Sequence, residues 1–134
     1  MRRTVLIVDD DPAIVSMLQL SFEHEGFTVR TASSGWEGLK MARAWQPDLI
    51  VLDLVLPDLD GFIVCEALKN HRTTHSIPVL ALTGLCSHFS YLTALEAGVD
   101  GYLAKPCDLE EMLATANQLL QRSESTAGSS AAEH

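Results

Sequence analysis

The chain has 134 residues, 47% of them hydrophobic, so it is long enough to bury one core without disulfides or a structural metal. Its net charge of −9 and nine scattered basic residues argue against direct nucleic-acid binding, because phosphate backbones are held by clustered Lys and Arg. No apolar run approaches the ~18 residues of a membrane span, and three cysteines without ligand spacing favour a reducing cytoplasm.

Short β-rich runs alternate with longer amphipathic segments along the chain. The first run is followed by a helix that Asp11 caps, Pro12 opens and Gly26 ends. Several runs are continuously apolar, which is typical of strands covered on both faces. Strands are predicted over 4–8, 27–31, 49–53, 78–82 and 101–104. The later helices are predicted over 34–45, from about Asp60, from about Ser87 and over 108–122.

This alternation predicts the fold class and one domain boundary. Five β-strand and α-helix pairs predict an α/β fold, a doubly wound, flavodoxin-like parallel sheet with strand order 2-1-3-4-5. The domain covers residues 1–122. Residues 123–134 have no apolar periodicity and are predicted to be a flexible tail. The tail could be a natural terminus, the start of a linker to an output domain, or cloning residue.

Polar side chains follow four of the predicted strands. Asp9 and Asp10 come after strand 1, and Asp53 ends strand 3, which is its neighbour in the predicted order. Ligands of open α/β sheets bind at the carboxyl ends of the strands, and clustered acidic oxygens there suggest a hard divalent cation with a phosphate partner. Thr83 after strand 4 and Lys105 after strand 5 add a hydroxyl and an ammonium to the same rim.

Four motifs carry a resemblance to a known family. They are VDDD at 8–11, DLVLPDLDG at 53–61, LTG at 82–84 and YLAKP at 102–106. Together and in this order they resemble the response-regulator receiver domain, the CheY-like phosphoacceptor module of two-component signalling. The resemblance covers about residues 4–122. Each motif is weak alone, whereas the whole set is specific.

The resemblance implies a role for each acidic residue. Asp53 is expected to accept a phosphoryl group from a phosphohistidine of a sensor histidine kinase or phosphotransfer protein. A Mg²⁺ or Mn²⁺ ion is expected on Asp10, Asp53 and the backbone carbonyl of Val55, with Asp9 helping directly or through water. Without the cation, the carboxylates should repel one another. Metal binding is therefore expected to stabilise the protein.

The resemblance also implies a switch. Lys105 is expected to pair with Asp53 and later with a phosphoryl oxygen, while Thr83 donates its hydroxyl to another oxygen. Tyr102 is then expected to turn inward and reshape the face made by helix 4, strand 5 and helix 5. That face would contact a downstream protein, an output domain or a second copy of the chain. The bond before Pro106 is expected to be cis.

Simpler structural roles remain open for these residues. Asp10 and Asp11 could simply cap a helix, Asp53 taken alone could be a turn residue, and Tyr102 could be a static aromatic. Asp58 and Asp60 are expected to be turn and N-cap residues rather than metal ligands.

Two other function classes also remain. One is a Mg²⁺-dependent phosphohydrolase that forms an aspartyl phosphate, but the chain has no second acid/base carboxylate directly after its nucleophile and no cap-sized insertion. The other is a receiver-like scaffold that is never phosphorylated. Such a scaffold would be expected to have lost part of the five-residue set, which is complete here. The leading prediction is a phosphoacceptor signalling module, not an enzyme.

Overall fold

The computed structural model describes residues 3–84 and 88–132, except for the side chains of 88, 89 and 124–132. The described residues form a parallel sheet with strand order β2-β1-β3-β4-β5, as predicted. In chain order the elements are β1 (Thr4–Val8), α1 (Pro12–His24), β2 (Thr28–Ala32), α2 (Gly35–Trp45), β3 (Leu49–Leu52), α3 (Gly61–Asn70), β4 (Val79–Thr83), α4 (His88–Ala97), β5 (Gly101–Ala104) and α5 (Leu109–Ala132).

The central strands β1 and β3 are buried on both faces, which explains why their sequences are apolar without interruption. Successive side chains of a strand point to opposite faces, so each strand contributes to two cores. Leu6 and Ile50 belong to the core that contains residues of α2, α3 and α4. Ile7 and Val51 belong to the core that contains residues of α1 and α5. The two layers of helices hold the strand ends in place from both sides.

The helix starts follow the predicted cap residues. Asp11 accepts a hydrogen bond from the backbone N–H of Ala13 at 3.0 Å, and Asp60 accepts one from the N–H of Phe62 at 2.9 Å. Ser34 caps α2 in the same way. A short polar side chain at these positions satisfies an amide that has no partner inside the helix. The cap roles of Asp11 and Asp60 are confirmed.

Some predicted boundaries were wrong. Strands β2 and β4 each begin and end one residue later than expected, and β3 ends at Leu52 rather than Asp53. Helix α5 does not end near Arg122 but continues to Ala132. This stretch contains no Pro, and its one glycine, Gly128, costs a helix only about 1 kcal/mol, so an established helix can continue through it. The predicted start of α4 near Ser87 lies outside the described residues.

The described cysteines are free thiols. Cys65 is buried in the core, and burial raises the pKa of its thiol to about 12. Cys107 is half-buried, and Cys86 lies outside the described residues. Over the described ranges, none of the helices is both long enough and apolar enough to cross a membrane.

Candidate functional site

Three carboxylates meet where β1 and β3 end. The two strands are in register with Val8 opposite Leu52, so the residues that follow them, Asp9 and Asp53, are neighbours at the rim. One carboxylate oxygen from each of Asp9, Asp10 and Asp53 lies within 4.8 Å of the others. Asp9 and Asp53 are only 3% and 7% exposed, whereas Asp10 is open to solvent. The rim is therefore a concentrated patch of negative charge that is partly shielded from water.

Lys105 neutralises part of this charge from the end of β5. Its Nζ lies 2.7 Å from Oδ2 of Asp9 and 3.1 Å from Oδ2 of Asp53. Burial alone would lower the pKa of Lys105, but the hydrogen bonds to these two carboxylates raise it above its ordinary value. The sequence predicted the pairing with Asp53 but not the shorter contact with Asp9. The ammonium is thus shared between both buried carboxylates.

The second oxygen of each buried carboxylate accepts a hydrogen bond from a backbone amide. Oδ1 of Asp9 accepts from the N–H of Asp11 at 3.0 Å, and Oδ1 of Asp53 accepts from the N–H of Val55 at 3.0 Å. Burial raises the pKa of Asp9, and the nearby charge of Asp53 adds to this, against the opposing effects of Lys105 and the Asp11 amide. These fixed contacts orient both carboxylates before any ligand arrives.

The hydroxyl and aromatic residues of the predicted switch lie on β4 and β5. Thr83 ends β4 and is fully buried, and its carbonyl accepts a hydrogen bond from the N–H of Lys105 at 2.7 Å. Tyr102 is half-buried on β5, with its ring edge-on to Tyr91 at 5.4 Å between centroids. The bond between Lys105 and Pro106 is cis, as predicted. The structure therefore brings Thr83 and Lys105 to the same rim as the carboxylates.

The two other acidic residues of the loop after β3 have helix-capping roles. Asp60 caps α3, and Asp58 accepts hydrogen bonds from the first two amides of α2, those of Gly35 and Trp36. Asp58 and Asp60 are absent from the cluster that the described carboxylates form. No local sequence pattern predicts the contact between Asp58 and α2, because its partners lie more than twenty positions away.

The donor set at the rim suits a hard cation. Carboxylate oxygens are the ligands that Mg²⁺ and Mn²⁺ prefer, and Asp9, Asp10 and Asp53 supply them from two adjacent strand ends. Val55 lies three residues past the end of β3, and its N–H donates to Oδ1 of Asp53, so its backbone is next to the same carboxylate. The acidic cluster is thus chemically suited to hold the metal that the sequence predicted.

Comparison with known proteins identifies the family of the chain. The family model for the response regulator receiver domain matches residues 5–117. The chain belongs to this family. As a receiver domain, it is a signalling module of two-component systems. The predicted family is therefore confirmed.

Two curated relatives are transcriptional regulators. The chain is 45% identical to the DNA-binding dual master transcriptional regulator RpaA of Synechocystis over 120 residues, which cover 90% of this chain and 50% of the relative. It is 43% identical to the alkaline phosphatase synthesis transcriptional regulatory protein PhoP of Bacillus subtilis, with coverage of 97% and 53%. The chain spans about half the length of these relatives. The expected absence of a nucleic-acid partner therefore concerns the receiver segment alone, since the first relative is named as DNA-binding.

A solved structure supports the same assignment. The CheY-like receiver domain protein of Methanospirillum hungatei superposes with a TM-score of 0.89 at 29% identity, with coverage of 94% of this chain and 99% of that one. The predicted five-stranded, CheY-like architecture is confirmed.

Proposed function

We propose that this receiver domain takes a phosphoryl group onto Asp53 and thereby controls a partner. The observation that carries the proposal is the position of the Asp53 carboxylate. It lies within 3.1 Å of the Lys105 ammonium and beside two further carboxylates at the rim. A nucleophile, a cationic group for a phosphoryl oxygen and a set of metal ligands are thus within reach of one another. Positioning and charge neutralisation are the main requirements of phosphoryl transfer.

The transfer itself needs little covalent chemistry from the protein. An oxygen of Asp53 attacks phosphorus, the phosphorus–nitrogen bond of the donor phosphohistidine breaks, and its electron pair stays with the imidazole. Lys105 then exchanges its contact with Asp53 for one with a phosphoryl oxygen, while its 2.7 Å contact with Asp9 keeps the ammonium in place. Thr83, at the end of the neighbouring strand, donates its hydroxyl to another phosphoryl oxygen.

A divalent cation, Mg²⁺ or Mn²⁺, completes the site. Asp10, Asp53 and the carbonyl of Val55 would hold it, with Asp9 helping directly or through water. When bound, the cation neutralises charge on the phosphoryl oxygens and relieves the repulsion among the carboxylates. Asp10 is the most exposed of these acidic residues, so the ion can enter and leave from solvent.

The proposed output is the surface formed by α4, β5 and α5. The coupling of Thr83 and Tyr102 would transmit phosphorylation to this surface, where the rings of Tyr102 and Tyr91 already touch. Tyr91, Leu92 and Leu95 expose apolar surface on α4. A downstream protein, an output domain or a second copy of the chain would bind there. The donor is a sensor histidine kinase or a phosphotransfer protein, and we place the reaction in the cytoplasm.

The test is the intact mass of the protein after incubation with acetyl phosphate and Mg²⁺. We expect wild type to gain one phosphoryl group, and Asp53→Asn or added EDTA to abolish the gain. Asp108→Asn is the matched control, because it removes an exposed carboxylate that only caps α5. This control should be phosphorylated like wild type.

Three results would contradict the proposal. No mass gain under any condition would indicate the unphosphorylated scaffold. A gain that persists in Asp53→Asn would place the phosphoryl group elsewhere. Multiple turnovers of p-nitrophenyl phosphate would indicate a phosphohydrolase instead of a signalling module.

A further inference from the structure

The loop between β3 and α3 carries the proposed ligand carbonyl of Val55. Near its ends this loop is held by its own backbone: the N–H of Gly61 donates to the carbonyl of Leu54 at 3.0 Å, and Val55 forms an isolated bridge with Asp60. These bonds close the loop on itself. They do not fix where its outer part lies relative to the rest of the sheet.

Asp58 supplies that outer attachment. Its Oδ1 accepts a hydrogen bond from the N–H of Gly35 at 2.8 Å, and its Oδ2 accepts one from the N–H of Trp36 at 3.0 Å. The hydroxyl of Ser34, the cap residue of α2 itself, reaches only the N–H of Glu37. The start of α2 is therefore capped twice, once by its own residue and once by the loop.

The contact between the loop and α2 is also close in its packing. A Cβ atom placed on Gly35 would lie 2.9 Å from the Cβ of Leu59, so the two segments approach more tightly than a side chain would allow. The hydrogen bonds from the Trp36 and Gly35 amides lower the pKa of Asp58 below its ordinary value, so its carboxylate stays ionised to lower pH than that of a free aspartate. A negative charge at a helix N-terminus is further favoured by the helix dipole.

We propose that Asp58 is a positioning residue for the divalent cation, because its bonds to the start of α2 hold the loop whose Val55 donates its N–H to Asp53 and would offer its carbonyl to the cation. The inference rests on the proposed function, and it adds a residue that does not touch the metal. Groups that orient metal ligands typically change metal affinity by about 10- to 100-fold when they are removed. Asp58 is exposed and acts through the backbone, so we expect the lower end of this range, about 10-fold.

The experiment compares Asp58→Ala and Asp58→Asn with Ser34→Ala. All three substitutions weaken capping at the same end of α2, but only the changes at Asp58 remove hydrogen bonds between the loop and α2. Mg²⁺ affinity is measured by isothermal titration calorimetry, and urea unfolding establishes that each variant is folded. We expect Ser34→Ala to lose stability while binding Mg²⁺ like wild type. Asp58→Ala should bind Mg²⁺ about 10-fold more weakly than wild type. The affinity of Asp58→Asn should lie between those of wild type and Asp58→Ala, because its amide oxygen can still accept one hydrogen bond.

A second readout separates positioning from general damage. If the loop limits only metal binding, Asp58→Ala should be phosphorylated by acetyl phosphate at the wild-type rate once Mg²⁺ is saturating, and more slowly at low Mg²⁺. A folded Asp58→Ala variant with wild-type Mg²⁺ affinity would overturn the inference and leave Asp58 as a helix cap. Equal loss of affinity in Ser34→Ala would also overturn it.

The outcome for wild type distinguishes this inference from the proposed function. Wild-type protein that binds no Mg²⁺ would overturn both. Wild-type protein that binds Mg²⁺ but gains no phosphoryl group would overturn the proposed function, while the affinities of the variants would still decide the role of Asp58.

Discussion

The rim at the ends of β1 and β3 and the surface of α4 are built in opposite ways. At the rim, buried carboxylates have fixed partners, and the strands that carry them are almost fully excluded from solvent. On α4, the small side chains of Ala94 and Ala97 are buried, whereas Tyr91, Leu92 and Leu95 are 42%, 45% and 47% exposed.

This difference separates a preorganised site from an adaptable surface. Burying alanine removes little apolar area from water, so Ala94 and Ala97 hold the described part of α4 to the core with less hydrophobic free energy than buried leucines would. Its large apolar side chains remain available to a partner. The rim, in contrast, requires atoms to stay in place while a charged group is transferred. Changes at the rim should therefore alter chemistry and stability together, while changes on α4 should alter neither.

The largest expected effect is that of Gly61→Ala. A Cβ at Gly61 would lie 2.3 Å from the Cα of Leu54 and 2.7 Å from the carbonyl oxygen of Asp53, so the backbone beside the phosphoacceptor must move. We expect the free energy of unfolding to fall by about 1–3 kcal/mol. We also expect the variant to lose most of its phosphorylation by acetyl phosphate. Gly84→Ala is the control, since no atom of the described residues beyond its chain neighbours lies within 4 Å of its added Cβ. Urea unfolding and intact mass would measure both, and similar losses in the two variants would contradict the steric explanation.

The next effect is a pH dependence of the metal-free protein. The pKa of Asp9 in the folded state is raised above its ordinary value of 3.8. At a pH between 3.8 and this raised pKa, the folded state therefore keeps a proton on Asp9 that the unfolded state has lost. Stability is therefore gained as pH falls from neutral through the raised pKa, and lost as pH rises through it. The free energy of unfolding changes by at most about 1.4 kcal/mol per pH unit for one proton.

Urea unfolding from pH 7 down to the ordinary value of 3.8, without Mg²⁺, would test this, with Asp9→Asn expected to flatten the profile. Asp58 has the opposite effect on the free energy of unfolding, because its pKa is lowered in the folded state. Its contribution to stability is lost as pH falls below its ordinary value of 3.8. An unchanged profile in Asp9→Asn would assign the dependence to other groups.

A smaller effect on the stability of the metal-free protein is expected for Asp10→Asn. Removing one of three clustered carboxylates relieves repulsion of about 1 kcal/mol for charges a few ångströms apart in water. The metal-free variant should be more stable than wild type, yet Mg²⁺ should no longer stabilise it. Glu96→Gln removes the same charge from an exposed position on α4 and should change neither quantity. Thermal unfolding with and without Mg²⁺ measures both, and Mg²⁺ stabilisation retained in Asp10→Asn would remove that residue from the ligand set.

The smallest effect on the domain itself is expected for Leu95→Ser on α4. Because the side chain is exposed, the free energy of unfolding should change by less than about 0.5 kcal/mol, and acetyl phosphate should modify the variant like wild type. Any self-association that phosphorylation induces should be lost, as measured by analytical ultracentrifugation. Leu20→Ser alters a leucine on α1 that is more exposed than Leu95, 68% against 47%, and should keep that association. If both variants associate like wild type, α4 is not the dimer surface.

The local patterns of the sequence were enough to predict most of the fold. The β-rich runs, several of them apolar without interruption, predicted the strands to within one residue, and short polar side chains at Asp11 and Asp60 marked helix starts. The end of α5 was harder to predict, because a stretch of Ser, Ala and Glu without Pro can either continue a helix or leave it.

The site was predictable in its membership but not in its contacts. Strand order brings residues at or just after the ends of β1, β3, β4 and β5 to one rim, so Asp9, Asp53, Thr83 and Lys105 could be predicted from their motif positions to lie together there.

Only the tertiary structure determined that Lys105 lies closer to Asp9 than to Asp53, that Asp58 caps a distant helix, and that α4 buries its alanines. The physical reason is the range of the interactions. Periodicity and capping depend on residues within four positions of each other, and the amino-acid sequence specifies these directly. Hydrogen bonds and packing between distant segments depend on ångström-scale distances that exist only when the whole sheet and both helix layers are assembled.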